Sequence, residues 1–469
     1  MQRCSFRRVP LALAGLLAVT LLGCGGDEAP ASAKAKAPEA DKPFPSTYEP
    51  MPSEAMLITN ATLFTGTGEK IENGQLLIQD GRIAAVGSQV DAPEGVKTLD
   101  AKGKFVTPGI IDVHSHLGDY PSPGVDAHAD GNEMTSPNTA EVWAEHSVWP
   151  QDPGFMTALA GGVTSLQVLP GSANLFGGRG VTLKNVPGQS VMDMKFPGAP
   201  HGLKMACGEN PKRVYGSKGR SPSTRMGNVA GYRNAWIDAE EYLEKLEAAE
   251  RGEGEPPKRD LALETLAGVL KGEILIHNHC YRADEMLVML DIADEFGYKV
   301  GTFHHAVEAY KIGEELAEAG TCAAMWADWW GFKMEAFDGV RENVPLVDSA
   351  GACAIVHSDS EVGIQRLNQE AAKAMAAANR AGMDIKPEQA MRWLTINAAK
   401  SLGIADQTGS LETGKMADIV IWSGSPFSVY SQAEQVFIDG ALAYDRNDPA
   451  FQPKTDFEIG IIEVEGQIQ

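Results

Sequence analysis

The sequence is poor in cysteine and in basic residues, and each shortage excludes a class of function. It holds 6 cysteines among 469 residues, and no spacing among them forms a zinc knuckle or a similar cysteine-based metal module. Lysine and arginine number 40 against 63 aspartate and glutamate residues, which gives a net charge of −23. Such an acidic chain is not expected to bind nucleic acid or an anionic membrane surface.

Long apolar runs are also scarce. The run from Val9 to Leu22 follows a basic N-terminal segment, is too short to span a bilayer comfortably, and ends in Leu21-Leu22-Gly23-Cys24. This ending resembles a bacterial lipobox, so we predict a signal peptide over residues 1–24 and a lipid on Cys24. The protein would then be exported and held by its lipid anchor alone at the periplasmic or extracellular face of a membrane. The alternative is an ordinary secretion signal that is cleaved nearby.

The segments on either side of residues 109–408 are predicted from their composition and strand pattern. Residues 25–53 are rich in alanine, proline, lysine and glutamate without periodicity, which predicts a flexible linker. Residues 54–108 contain alternating strand-like runs that Asn73-Gly74 and Asp80-Gly81 punctuate as turns. This segment is too short for a complete β domain, and residues 409–447 supply the missing strands.

A pair of histidines follows a short apolar segment near residue 110. Ile110 to Val113 reads as a buried strand after a Pro-Gly break, and it leads into His114-Ser115-His116. Side chains two residues apart in a strand point to the same side, so His114 and His116 can aim two imidazoles at one point. A divalent metal needs two such neutral nitrogen ligands. Taken alone, such a pair would more often consist of buried core histidines.

Three further apolar runs end in histidine or aspartate. The motifs that follow them are His277-Asn278-His279, His304-His305 and His357-Ser358-Asp359. Each run is short and preceded by a helical stretch, as in parallel strands that alternate with helices. The C-terminal ends of such strands are where a β/α barrel places its chemistry. The four strand ends together predict a metal-dependent hydrolase.

We therefore predict an α/β fold with two domains. A (β/α)8 TIM barrel over residues 109–408 is inserted in a small discontinuous β-sandwich domain made of residues 54–108 and 409–447, and residues 448–469 form a C-terminal tail. The chain length accommodates a barrel of about 250–300 residues together with a second domain.

Three segments resemble the amidohydrolase superfamily. They are Val106–His116, Asn397–Ile404 and Gly409–Val420. The similarity runs from about Met56 to Arg446, and within the superfamily the sequence looks closest to the imidazolonepropionase-like and Xaa-Pro-dipeptidase-like branch. The resemblance implies a hydrolase of carbon–nitrogen bonds that uses one or two divalent ions, with zinc as the first expectation.

The resemblance also implies a set of metal ligands. His114 and His116 would bind the more buried ion with Asp359, while His277 and His305 would bind the second. Hydroxide forms near neutral pH when a divalent ion lowers the pKa of bound water. Asp359 would accept the proton as this hydroxide attacks a carbonyl, and would later return it to the leaving nitrogen.

Lys204 lies in a segment that resembles the family's fourth barrel strand, where carbon dioxide carboxylates a lysine. A carbamate on Lys204 would bridge two metals, whereas an unmodified Lys204 would imply a single ion. Two ligand choices stay open. His279 could replace His277, and His304 could replace His305. The histidines that do not bind metal would then support the ligands or contact substrate, as could Glu209 and Tyr281.

Four cysteines lie beyond the predicted signal peptide. Cys207 and Cys280 each follow a proposed ligand by three residues, on strands expected to be neighbours. A disulfide between them could form in an oxidising compartment, but the expectation is buried free thiols.

We expect the partner to be a small-molecule or peptide substrate, with amides and small peptides ahead of cyclic amides. The competing interpretations are a non-catalytic barrel lipoprotein that binds metal, an esterase or lactonase, and a deaminase on the same site. Assembly into a homo-oligomer stays open.

Overall fold

The structure, a computed structural model, describes residues 43–122, 124–329 and 331–451. The predicted signal peptide with Cys24, most of the predicted linker, and the chain beyond Phe451 lie outside the described residues. Phe44 begins the compact unit that contains every element given below. Within the described ranges, every helix falls short of the length and apolar character needed to cross a bilayer.

The strands are numbered in chain order. They are β1 Met56–Phe64, β2 Lys70–Gln79, β3 Arg82–Gly87, β4 Lys97–Asp100, β5 Phe105–Pro108, β6 Ile110–Ser115, β7 Val163–Val168, β8 Phe176–Lys184, β9 Gly202–Ala206, β10 Leu275–Cys280, β11 Val300–His305, β12 Cys322–Met325, β13 Cys353–Val356, β14 Ile419–Trp422, β15 Ala433–Ile438 and β16 Ala441–Asp445. They form two eight-stranded sheets.

The first sheet joins the two ends of the chain into one β domain. Its order is β16-β15-β14-β5-β1-β2-β3, and β4 also pairs with β1. Ile58 and Leu76 from the first segment pack with Ile419 and Phe437 from the second in one buried cluster. The predicted turn at Asn73-Gly74 is wrong, because both residues lie inside β2 at a register shift, where Asn73 adopts a φ of +50°.

The second sheet is the barrel, and it runs in sequence order from β6 to β13. Its strands pair in parallel except at β8, which is antiparallel to both β7 and β9. The predicted alternation of parallel strands and helices fails at this point. Residues 169–175 are the whole connection between β7 and β8, and a parallel crossover needs a dozen or more residues.

The helices are also numbered in chain order. They are α1 Pro153–Ala160, α2 Glu209–Gly216, α3 Arg225–Glu250, α4 Leu261–Leu270, α5 Ala283–Phe296, α6 Gly313–Ala319, α7 Asn343–Ser349, α8 Leu367–Arg380, α9 Pro387–Ala390 and α10 Ile396–Ser401. Capping residues mark some of their boundaries. Asp152 accepts a hydrogen bond at the start of α1, where Pro153 takes the first position, and Gly297 ends α5 at a φ of +70°.

A buried ion cluster ties the barrel to the β domain. The Lys184 Nζ, at the end of β8, lies 2.7 Å from an Asp439 carboxylate oxygen and 3.1 Å from Asp418 Oδ1. Thr408 donates a hydrogen bond of 2.8 Å to Asp418, and the Tyr48 hydroxyl donates to Asp439. The Lys184 side chain is fully buried, so these carboxylates replace its hydration.

Two disulfides contradict the expectation of free thiols. They join Cys207 to Cys280 and Cys322 to Cys353. Cys322 and Cys353 are register partners on the adjacent strands β12 and β13, with Cα atoms 4.4 Å apart. The Cα atoms of Cys207 and Cys280 are 5.2 Å apart. Both separations fall in the range that a disulfide spans, which the sequence spacing alone could not reveal.

Candidate metal centre

The two histidines of the first barrel strand meet Asp359 at the C-terminal end of the barrel. Nε2 of His116 lies 3.1 Å from Asp359 Oδ1, and Nε2 of His114 lies 3.4 Å from the same oxygen. One ligand atom from each of the three residues falls within 4.8 Å of the others. His114 is buried, whereas the side chain of Asp359 keeps 26% of its exposure and opens the group to solvent.

A backbone carbonyl fixes the tautomer of His116. Nδ1 of His116 lies 2.7 Å from the carbonyl oxygen of Leu169. Since a carbonyl only accepts hydrogen bonds, Nδ1 carries the hydrogen and the lone pair remains on Nε2. This places the free lone pair of His116 beside Asp359, as metal-binding histidines usually require.

A second group of imidazoles adjoins the first. His305 and His357 converge with His114, and one nitrogen of each lies within 4.8 Å of the others. The His305 ring stacks on Trp326 at a centroid distance of 4.3 Å. His305 adopts a φ of +71° and Asp359 a φ of +50°. Left-handed backbone at such residues costs about 1–3 kcal/mol each and is typical of functional sites.

His277 and His304 belong to neither group, and they form a hydrogen-bonded chain with His114. Nδ1 of His277 is 2.9 Å from Nε2 of His304, and Nδ1 of His304 is 3.0 Å from Nδ1 of His114. The Nε2 atoms of His277 and Gln167 are 3.3 Å apart. The structure thus brings His305 to the centre, while His277 and His304 line up behind His114.

Asp112 links the first and last strands of the barrel beneath the ligands. Its carboxylate accepts hydrogen bonds from the backbone of His114 at 3.1 Å and of Ser358 at 3.2 Å, and from the Ser358 hydroxyl. The Asp359 amide donates to the His114 carbonyl at 3.0 Å. Burial raises the pKa of Asp112 to about 7, although these hydrogen bonds act to lower it.

Lys204 projects into the same centre from β9. Its Nζ lies 3.3 Å from Nε2 of His114, and the side chain is buried. Burial lowers the pKa of Lys204 to about 8, with the nearby Asp359 acting in the opposite direction. The amine therefore loses its proton more readily than an ordinary lysine, as carboxylation by carbon dioxide requires.

The remaining predicted residues form one wall of the site. The ring centroids of His279 and His305 are 4.6 Å apart, and Nε2 of His279 lies 3.4 Å from the Asn210 amide nitrogen. Tyr281 stacks on His305 at 5.3 Å, with the Lys333 Nζ 3.9 Å above its ring centroid. Glu209 lies farther out, with Oε1 3.6 Å from Lys333 Nζ.

A cavity of about 220 Å³ opens on the other side of the centre. It is lined by His116, Tyr120, Pro121, Ser122, Gly124, Asp359, Ser360 and Glu361. Asn132 donates a hydrogen bond of 2.7 Å from Nδ2 to the Tyr120 hydroxyl oxygen, and the Ala173 amide donates to Asn132 Oδ1 at 3.2 Å. The Ala173 contact fixes the orientation of the Asn132 amide, so Tyr120 keeps its own hydrogen for another acceptor.

Burial holds six histidines in and around the centre in the neutral form that metals bind. It lowers the pKa of His277 and of His357 to about 3, and it lowers the pKa values of His114, His279, His304 and His305 well below the ordinary range. Burial acts to raise the pKa of Asp359, but the neighbouring His116, His357 and Lys204 together keep that pKa below its usual value.

These residues fit a divalent cation. Among the described residues, no group hydrogen-bonds to Nδ1 of His305 or to either ring nitrogen of His357, although all three atoms are buried. Unpartnered neutral nitrogens beside a carboxylate are the donor set of zinc and related ions.

Two residues at the centre, His357 and Tyr120, were not among the site residues predicted from the sequence, although the His357-Ser358-Asp359 motif was noted. His357 precedes Asp359 by two residues, the same spacing as in His114-Ser115-His116, and this was a usable signal. Tyr120 has no comparable signal, because Asn132 and Ala173 reach it from distant parts of the chain.

Comparisons with known proteins agree on one family. The family model described as "Amidohydrolase family" matches residues 337–454. A crystal structure of an amidohydrolase from Thermotoga maritima MSB8 is 37% identical, with a TM-score of 0.77 over 83% of this chain and 100% of that chain.

Two relatives extend the comparison. Amidohydrolase tasK from Hapsidospora irregularis is 31% identical over 85% of this chain, which spans 44% of that relative's length. An imidazolonepropionase from Mesorhizobium japonicum is 25% identical over 78% of this chain and 90% of its own length.

Proposed function

Because this chain belongs to the amidohydrolase family of hydrolases that act on carbon–nitrogen bonds, we propose that it cleaves amide bonds in small molecules or short peptides with the help of a divalent metal. The observation that carries the proposal is the convergence of His114, His116 and Asp359, in which the carbonyl of Leu169 leaves the His116 lone pair facing the carboxylate.

His114, His116 and Asp359 would hold the ion, with His305 close by. When bound, a divalent ion supplies Lewis acidity, which polarises a substrate carbonyl and makes a water molecule more acidic. Zinc suits this ligand set, and manganese, cobalt and iron accept it as well.

We also propose that Lys204 is carboxylated when two ions bind. The neutral amine would attack carbon dioxide, form a nitrogen–carbon bond and release one proton. The product is an anionic carbamate. A buried ammonium 3.3 Å from His114 would repel cations, whereas a carbamate at that position would attract them.

Asp359 is the group that moves the proton. Its pKa lies below the usual value, so the carboxylate is ionised at neutral pH. It can accept the proton of the attacking water and then deliver that proton to the leaving nitrogen, acting as general base and then general acid. Its side chain is partly exposed and lines the 220 Å³ cavity, where a substrate would enter.

Tyr120 would stabilise the substrate's carbonyl oxygen. Its hydroxyl hydrogen is free because the oxygen already accepts from Asn132. The tyrosine lines the same cavity as His116 and Asp359, with its ring centroid 5.7 Å from that of His116. A hydrogen bond that strengthens as charge develops on the carbonyl oxygen accelerates acyl transfer.

A panel of matched substrates tests the reaction class. Dipeptides, N-acyl amino acids, cyclic amides and the ester of each acyl group would be incubated with the full chain, and the released amine, acid and ammonia measured. Cleavage of amides with release of an amine supports the proposal. Cleavage restricted to esters would favour an esterase or lactonase, and release of ammonia alone would favour a deaminase.

We further propose that the protein is an exported lipoprotein. Support comes from the lipobox-like segment that ends at Cys24 and from the two disulfides, since disulfides persist in oxidising compartments. Metabolic labelling with palmitate should label the parent and leave a Cys24→Ala variant unlabelled. Equal labelling of both would contradict this localisation.

A further inference from the structure

His357 follows β13, is fully buried, and has no hydrogen-bonding partner for its ring among the described residues. Leaving a buried polar group unpaired costs about 1–3 kcal/mol. A buried histidine avoids this penalty when both ring nitrogens have partners, as those of His277 do in His304 and Gln167. Packing of the chain therefore does not explain why both ring nitrogens of His357 are buried without a hydrogen-bonding partner.

The surroundings of His357 are other imidazoles. Its ring centroid lies 5.0 Å from that of His305 and 5.2 Å from that of His114, and Trp326 covers it at 5.2 Å. One nitrogen of each histidine lies within 4.8 Å of the others. Three converging neutral imidazoles offer lone pairs to one region, which a divalent cation can satisfy.

The family resemblance would assign the place beside His305 to His277, with His279 as the alternative, yet both nitrogens of His277 are engaged elsewhere. Nδ1 contacts His304 at 2.9 Å, and Nε2 lies 3.3 Å from Gln167. His277 belongs to neither group of converging ligand atoms among the described residues.

We propose that His357 binds a divalent cation together with His114 and His305, and that His277 orients His114 through His304 instead of binding metal. This inference rests on the proposed function in one respect, which is that the protein binds a divalent cation. It departs from the ligand set that the family resemblance implies.

The hydrogen positions are consistent with this division of roles. If His114 binds through Nε2, its hydrogen sits on Nδ1 and is donated to His304 Nδ1, 3.0 Å away. His304 then donates from Nε2 to His277 Nδ1, which leaves the His277 hydrogen on Nε2. A half-turn of the Gln167 amide offers Oε1, an atom without a partner among the described residues, to that hydrogen.

The test compares His357→Asn with His277→Asn, a matched substitution of another buried histidine in the same barrel. Both full-chain variants would be stripped of metal and reconstituted with Co²⁺, whose visible absorption reports the ligands directly. We expect His357→Asn to change the band positions and intensities and to bind Co²⁺ at least tenfold more weakly. His277→Asn should keep the parent spectrum, with binding weakened by about 10–100-fold at most, the usual effect of losing a residue that orients a ligand. A parent-like spectrum in His357→Asn would overturn the inference.

A crystal structure of the zinc-loaded parent provides a test that does not require a variant to fold. A His357 nitrogen about 2.0–2.1 Å from zinc is expected, and an ion bound without His357 would overturn the inference alone. A parent that binds no divalent cation would overturn the proposed function as well, so the two failures are distinguishable.

Discussion

At the scale of single residues, the chemistry depends on which lone pair or hydrogen of each side chain remains available to a metal or a substrate. His116 donates from Nδ1 to the Leu169 carbonyl, so Nε2 faces Asp359. Tyr120 accepts from Asn132, so its hydrogen is available to a substrate. Each of these assignments follows from a partner that can act only as donor or only as acceptor.

Replacing Tyr120 with phenylalanine should lower kcat about 10–100-fold and leave KM within a few-fold of the parent, because the lost hydrogen bond acts on charge that develops in the transition state. Steady-state kinetics on an amide substrate would measure both constants. Tyr430→Phe, at a residue that is 91% exposed, is the matched control. An unchanged kcat in Tyr120→Phe would remove this tyrosine from the mechanism.

The sequence predicts some ligands and leaves others open for a physical reason. Strand alternation places His114 and His116 on one side, and the structure brings both to Asp359. The same alternation places His277 and His279 on one face, so it cannot choose between them. The left-handed backbone of His305, with a φ of +71°, redirects a side chain in a way that a strand pattern does not encode.

At the scale of elements, the long connection after β6 positions Tyr120. Asn132 lies in this connection and contacts both Tyr120 and the backbone of Ala173 after β7. The chain passes so close to Asn132 that a Cβ at Gly171 would lie 2.2 Å from the asparagine Nδ2. Glycine at this position therefore allows the contact that orients Tyr120.

Gly171→Ala should displace Asn132 and reproduce much of the kcat loss of Tyr120→Phe, without an additive effect when the two substitutions are combined. Gly254→Ala is the matched control, since a Cβ there would meet no atom within 4 Å. Fully additive losses, measured by kinetics on the double variant, would show that Gly171 does not act through Tyr120.

The strand β8 shows what element prediction from sequence can and cannot provide. Val181 to Lys184 form the second half of β8, with the apolar and β-branched residues typical of a strand. Its antiparallel direction depends on the seven-residue connection over residues 169–175 and on pairing with β7 and β9. Strand periodicity is the same in both directions, so the apolar pattern could not reveal the reversal.

At the scale of the whole molecule, the barrel and the β domain share the buried cluster of Lys184, Asp418 and Asp439. Lys184→Met should destabilise the protein by about 3–5 kcal/mol, because it leaves two buried carboxylates without their counterion. Urea unfolding would measure the loss. Lys245→Met, which breaks an exposed ion pair with Glu241, should change stability by about 0.5 kcal/mol or less. Similar effects of the two substitutions would contradict the role of the buried cluster.

The stability of the metal-free protein should also depend on pH. Burial lowers the pKa values of His277 and His357 to about 3, whereas the unfolded chain binds protons near pH 6.5. Folding stability is therefore complete above pH 6.5 and decreases as the pH falls towards 3. At pH 5 the loss is roughly 2 kcal/mol for each such histidine. Urea midpoints of metal-free protein at pH 7.5 and pH 5 would check this, and equal midpoints would contradict it.

The measurement that tests the central claim most directly is the rate of amide hydrolysis as metal is returned to the metal-free full chain, with Asp359→Asn beside it. The account predicts that the parent regains turnover in proportion to bound metal, and that Asp359→Asn stays at least 100-fold slower at any metal concentration. Amide hydrolysis by the parent that is equally fast in the presence of a chelator would contradict it.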